Sequence, residues 1–207
     1  LEDILADAKL RRRDEHQPAL LTAVITSSVN PLCGGDCNGQ ATVSPGGGTP
    51  PYTYNWSQGA QTTALAINLC TGTHNVTGTD LNGCFATASV VLTAPPVLTI
   101  SVTDSTSASC NGLCDGDATV NAGGGSPPYT YLWSAGAQTG TTATGLCAAT
   151  HTVTVTDNKG CTATRNVVIT QPAILSVTVT APAASCGGIC DVTATATVNG
   201  GNIPYTY

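Results

Sequence analysis

Ten cysteines are the residues of this 207-residue chain best suited to chemistry, and their spacing sorts the chemistries open to them. Cys33, Cys37, Cys70 and Cys84 each recur 77 residues later, as Cys110, Cys114, Cys147 and Cys161; Cys186 and Cys190 follow. None sits in the paired Cys-x-x-Cys or His-x-x-x-His spacing that holds zinc, so a metal or redox centre is the weaker reading and structural disulfides the stronger. Four cysteines per copy allow three pairings. Cys33 with Cys84 and Cys37 with Cys70 is favoured, because both bridges would join the front of a copy to its back half. The rival is Cys33 with Cys37 and Cys70 with Cys84. Cys186 and Cys190 are expected to bond to each other or to stay unpaired. Each bridge is worth about 2–4 kcal/mol through its restriction of the unfolded chain. Such bonds persist only in oxidising compartments, which points to a secreted or surface-exposed protein.

Other candidate groups give weaker signals. Tyr52, Tyr54 and Trp56, and their copies Tyr129, Tyr131 and Trp133, alternate on one face of a strand. The favoured role is core packing, since aromatic residues are only 4% of the chain; a solvent-facing platform for stacking sugars is the alternative. His74 and His151 have no sequence neighbour with which to form a ligand set or an acid–base pair. Asp80, Asn82 and Gly83, with Asp157, Asn158 and Gly160, read as an Asx turn before a cysteine rather than as a calcium loop. There is no Gly-x-Ser-x-Gly elbow, no phosphate loop and no repeated carboxylate pair, so no catalytic residue and no cofactor or metal site is assigned. The sequons at Asn55 and Asn75 lie in predicted strands, where a glycan is expected to clash with packing.

Composition narrows the partners. The formal net charge is -6 with only six Lys and Arg, so nucleic acid is not expected as a ligand. Charged residues make up 9% of the chain against 41% hydrophobic, which argues against disorder, and no apolar run is long enough for a membrane-spanning helix.

The elements that position these groups follow from the repeat. More than half of the aligned positions from Cys33 to Pro96 are identical 77 residues on, and a third copy begins with Cys186, Cys190 and Pro204-Tyr205-Thr206-Tyr207 at an offset one residue shorter. That copy stops in mid-module, so the natural chain is expected to continue. Within a copy, apolar and hydroxyl residues alternate between Gly, Pro and Asn turns, giving six or seven short strands per 77 residues and hence a small β-sandwich. Residues 1–16 differ: Leu1, Ile4, Leu5 and Ala8 share a helical face, acids come early and bases late, and Pro18 ends the segment. The expected organisation is a helix and linker over 1–20, sandwiches over 21–95 and 96–172, and an incomplete sandwich over 173–207. Joins at Ala94-Pro95-Pro96 and Gln171-Pro172-Ala173 carry no Gly/Ser linker, which predicts closely held neighbours and an advance of roughly 30–40 Å per module.

Three stretches taken together resemble a known family. They are Cys-x-Gly-x-Cys-x-Gly-x-Ala-Thr-Val, Gly-Gly-x-Pro-Pro-Tyr-Thr-Tyr-x-Trp-Ser and Thr-x-Thr-Asp-x-x-Gly-Cys. The chain from about Val24 to Tyr207 resembles the SprB repeat of gliding bacteria, and its aromatic strand and Asp turn look like the PKD-type immunoglobulin-like sandwich. The resemblance implies very long cell-surface adhesins, exported by the type IX secretion route and carried by the gliding machinery. Cys37, Cys70 and their copies are additional to the simpler family pattern, and His74 and His151 stand where Tyr is expected. Similar bacteria attach O-glycans at short Asp-Ser/Thr sequences, which makes Ser105 in Asp104-Ser105-Thr106 a candidate. The resulting expectation is a non-enzymatic, extracellular, stiff disulfide-stapled shaft for adhesion or gliding. Neighbouring repeats or identical chains are its expected partners, with surface polysaccharide or gliding machinery as further candidates. The alternatives are a filament subunit whose third module is completed by a neighbouring molecule, and a carbohydrate-binding accessory module.

Overall fold

The computed structural model describes residues 18–183, 185, 187–188 and 192–207. The helix expected over residues 1–16 lies outside the described residues, as do Cys186 and Cys190. All regular elements among the described residues are strands. The chain divides into two compact units, a first ending at Val97 and a second running Leu98–Tyr207.

Module 1, in the first unit, has six strands: β1 Thr22–Val29, β2 Gly39–Gly46, β3 Thr53–Trp56, β4 Leu65–Leu69, β5 Gly72–Thr79 and β6 Phe85–Leu92. They form two antiparallel sheets, β1-β2-β4 and β3-β5-β6. Strand order across the two sheets is that of an immunoglobulin-like sandwich, with the first, second and fourth strands in one layer and the third, fifth and sixth in the other. Module 2 repeats the arrangement with β7 Thr99–Thr106, β8 Gly116–Gly123, β9 Thr130–Trp133, β10 Thr142–Leu146, β11 Ala149–Thr156 and β12 Thr162–Ile169. Its sheets are β7-β8-β10 and β9-β11-β12. A hairpin of β13 Ser176–Thr180 and β14 Thr195–Asn199 follows in the second unit.

Alternation builds the cores. In β2 the inward residues Ala41 and Val43 are buried while Gln40 and Ser44 are exposed, and in β11 Val153 and Val155 are buried between half-buried threonines. Ala41, Val43, Ala66 and Leu69 from one sheet meet Trp56, Val76 and Leu92 from the other. Trp56 is 2% exposed and Trp133 1%, and the indole N–H of each donates to a backbone carbonyl, of Thr63 and of Gly140, at 3.0 Å. Trp56 and Trp133 are thus core side chains with no solvent-facing indole for stacking a sugar, while the tyrosines on the same faces are half-buried. An aromatic face closed over by the opposite sheet cannot meet a ligand. Tyr54 and Tyr131 pack against the same cores, while the hydroxyls of Tyr52 and Tyr129 donate to Gly47 O and Gly124 O.

The first strand of each module carries the same irregularity. Pairing slips between Ile25 and Ser27 in β1 and between Val102 and Asp104 in β7, and the Thr between donates its hydroxyl to a neighbouring carbonyl, Thr26 to Thr42 O and Thr103 to Thr119 O. A bulge of this kind bends an edge strand and increases its twist. The third copy reproduces the loop that follows the second strand of its predecessors. Gly201 N–H donates to Ala173 O as Gly48 N–H does to Ala19 O, and Tyr205 donates to Gly200 O as Tyr52 does to Gly47 O.

Truncating a side chain this large leaves a cavity that so small a module cannot close. Trp133→Ala is expected to destabilise the second unit by about 3–5 kcal/mol, measured by urea unfolding, with the first unit's transition unmoved. A loss below about 1 kcal/mol would mean that Trp133 does not organise the core.

Candidate functional site at the two ends of each module

Strand direction assigns the chemistry-bearing residues to two ends. Chain enters module 1 before β1 and leaves after β6. Register places Thr79 beside Phe85 at the leading end and Gly72 beside Leu92 at the trailing end. The loop 30–38 and the connection 70–71 therefore lie at the trailing end, and the loop 47–52 and the turn 80–84 at the leading end.

At the leading end the organising group is a carboxylate. Asp80 Oδ1 accepts the backbone N–H groups of Asn82 and Cys84 at 2.9 Å, and its Oδ2 accepts that of Thr49 at 3.0 Å. Asp157 repeats this with Lys159, Cys161 and Ser126 at 2.8, 2.9 and 2.8 Å. Both aspartates are buried. A Cβ on Gly48 would stand 3.0 Å from Asp80 Oδ2 and one on Gly125 2.8 Å from Asp157 Oδ2, so glycine is required for the close approach. The Thr49 N–H is the largest influence on Asp80; with those of Cys84, Asn82 and Gly83 it holds the carboxyl below its ordinary value of 3.8, against the upward push of burial. Burial is the largest influence on Asp157 and pushes upward, but the N–H groups of Ser126, Cys161, Lys159 and Gly160 outweigh it, so this carboxyl also lies low. The Asx-turn reading holds: backbone donors take up the lone pairs that a calcium ion would need.

The trailing end is cross-linked. Cys37 bonds to Cys70, and Cys114 to Cys147. His74 Nε2 donates to Cys70 O at 2.8 Å and His151 Nε2 to Cys147 O at 2.9 Å, so each histidine braces the bridge rather than binding a ligand. The last residues of each module are tied back to the same end. Asn30 accepts the Thr93 N–H and donates to its hydroxyl; in module 2 the Ala108 N–H donates to Thr170 O at 2.9 Å. Asn111 Nδ2 donates to Pro172 O and the Gly112 N–H to Gln171 Oε1. The Ser109 hydroxyl, then its N–H, holds the Asp115 carboxyl below its ordinary value.

Direction also overturns one favoured pairing. Cys84 and Cys110 are free and exposed, so neither Cys33 with Cys84 nor Cys110 with Cys161 forms. The reason is distance: Cys33 lies at the trailing end and Cys84 at the leading end, separated by an eight-residue strand of about 26 Å, whereas a disulfide needs Cα atoms within about 7 Å. Cys33 and Cys161 are each disulfide-bonded. The rival pairing of Cys33 with Cys37 and Cys70 with Cys84 also fails, because Cys37 and Cys70 bond to each other. Asn55 and Asn75 correct a further expectation, for both are exposed and a glycan there would meet solvent. Ser105 is exposed on β7.

Gln61 and Gln138 were not singled out from the sequence. Gln61 Oε1 accepts the Ile67 N–H at 2.9 Å and its Nε2 donates to Ile67 O at 2.8 Å; Gln138 does the same to Thr144. One side-chain amide thus replaces a strand partner along β4 or β10. The signal was present in the repeated Gly-Ala-Gln-Thr, at Gly59 and again at Gly136.

The protein family described as SprB repeat matches residues 25–61 and 102–138. No curated protein sequence matches the chain. Among solved structures, one similar chain is the C-terminal 282-residue fragment of intimin, in complex with the intimin-binding domain of its translocated receptor. It is 17% identical over 78% of this chain and 66% of that one, at a TM-score of 0.39. Another is surface layer protein SbsC, domains 1–6, 13% identical over 87% of this chain and 36% of that one, at a TM-score of 0.25. The chain spans less than two thirds of either.

A carboxylate whose pKa is lower folded than unfolded contributes fully above its unfolded value, and that contribution is lost as pH falls through the folded one. Melting temperature should therefore be flat above about pH 5 and fall below about pH 4. Asp80→Asn with Asp157→Asn should lower it at neutral pH and flatten most of the acid slope. An unchanged slope would place the acid sensitivity elsewhere.

Proposed function

From a chain that carries two SprB repeats, we propose a structural, non-enzymatic region of a bacterial cell-surface protein, working outside the cell as a load-bearing stalk for adhesion or gliding. Export by the type IX route and attachment to gliding machinery belong to the same reading.

Strand direction is the observation that carries it. Tension along the chain enters a module at the start of its first strand and leaves at the end of its last. Both β1 and β6 run from the leading to the trailing end, so tension shears them lengthwise instead of peeling them apart. Bonds loaded in shear must stretch together, which is the stronger arrangement. Asn30 and Thr93 join the two strands at the end where force leaves, and in module 2 Ser107 and Ala108 meet Thr170 there. The Cys37–Cys70 and Cys114–Cys147 bridges then limit what an unfolded module can yield.

Single-molecule pulling of the oxidised chain tests this. Each bridge closes a sequence separation of 33 residues. Reduction should therefore lengthen the contour gain of each module by roughly 110–120 Å, at 3.3–3.6 Å per residue. Modules that open with no resolvable force peak would overturn the load-bearing role.

A further inference from the structure

The free thiols of Cys84 and Cys110 occupy positions whose repeat equivalents, Cys161 and Cys33, are in disulfides. Each module thus carries one trailing-end position, Cys33 or Cys110, and one Asp-turn position, Cys84 or Cys161. The two cannot meet within a module because they lie at opposite ends.

Two clefts show where such cysteines meet. At the leading end of module 1, Ala19, Leu21, Gly48 and Cys84 line a cleft of about 240 Å3. In the second unit, Cys110 lines a cleft of about 260 Å3 together with Ser109, Ala173, Leu175, Gly201 and Asn202. Ala173, Leu175 and Gly201 are to the third copy what Ala19, Leu21 and Gly48 are to the first. The glycine N–H donates to the alanine carbonyl in both, and a Cβ on Gly48 or Gly201 would meet the leucine Cδ1 at 2.9 or 2.8 Å. The same cleft therefore holds the Asp-turn cysteine of its own module in the first copy, and the trailing-end cysteine of the preceding module in the third.

The seat of the turn lies beside it. Thr49 and Ser126 receive the Asp turn of their module through both backbone groups: each N–H donates to the aspartate, and each carbonyl accepts from the following residue, Leu81 or Asn158. The third-copy equivalent is Asn202, whose side-chain amide donates to Ser109 O at 2.8 Å, one residue before Cys110. An Asp turn seated on Asn202 brings its cysteine to Cys110.

We propose that Cys110 forms an inter-module disulfide with the cysteine of an Asp turn seated on Asn202, and that Cys84 is the receiving half of the same joint for a trailing-end cysteine. The two thiols lose two protons and two electrons; a disulfide-bearing oxidant takes them, passing through a mixed disulfide and leaving as a dithiol. An Asp turn of the same chain or of a second copy supplies the same chemistry.

Alkylation of the natural chain, secreted and purified without reductant, followed by digestion and mass spectrometry, tests the assignment. Cys110 should escape alkylation and be recovered linked to a Gly-Cys peptide from an Asp turn. Non-reducing gel mobility then tells linkage within one chain from linkage between copies. Cys110→Ser should leave Cys114–Cys147 intact and expose one new reactive thiol in that Gly-Cys peptide. Quantitative alkylation of Cys110, or its linkage to a cysteine outside an Asp turn such as Cys186, would overturn the proposal.

Discussion

A buried carboxylate that accepts three backbone N–H groups closes the leading end of each module, and much else in the structure hangs from it. Asp80 and Asp157 each join the loop after the second strand to the turn between the fifth and sixth, so one side chain bridges the two sheets. Neutral hydrogen bonds would do this less well, because an ionised acceptor roughly doubles the strength of each bond. The charge of the carboxylate is spread over oriented N–H dipoles. The turn thereby gains a fixed place, and with it Cys84 or Cys161.

Closure at the other end rests on covalent chemistry for a related reason. The loop 30–38 is long and irregular; the Asp36 N–H donates to Cys33 O and the Leu32 N–H to Asn38 Oδ1. A domain of about 77 residues buries too little apolar surface to hold such a loop by packing alone. The Cys37–Cys70 bridge ties it to the connection between the sheets, and His74 fixes the carbonyl at the bridge. Electrostatic closure at one end and covalent closure at the other leave the middle to a single tryptophan and a ring of small aliphatic residues.

The sequence revealed what depends on periodicity and concealed what depends on direction. Period-two alternation and the 77-residue repeat are local properties, so the strands, the two modules and the buried Trp56 and Trp133 could be read directly. Disulfide pairing is not local. A cysteine's neighbours are set by the end of the sandwich on which its loop falls, and that follows from how many strands separate two loops. Successive strands reverse except β3 and β4, which run the same way, and this order puts Cys33 with Cys70 and Cys84 with Tyr52, a parity that spacing alone does not display. Gln61 and Gln138 were hidden for another reason: glutamine in a polar turn looks like any solvated side chain until the strand it completes is known.

The outer faces show what a chain with so few charges presents to solvent. Threonine hydroxyls cap neighbouring carbonyls along the strands, as with Thr22 to Gly46 O, Thr99 to Gly123 O, Thr53 to Thr79 O and Thr130 to Thr156 O. Threonine is β-branched, so it favours the extended backbone while presenting a hydroxyl to water. A face built this way gains little from ion pairs and is therefore barely weakened by salt, which screens exposed charges within about 10 Å at 0.1 M. Among the described residues the acid-sensitive groups are the aspartates of the two turns and Asp115, and the reductant-sensitive ones are the disulfide-bonded cysteines. Acid and reductant, rather than ionic strength, are the variables that reach the structure.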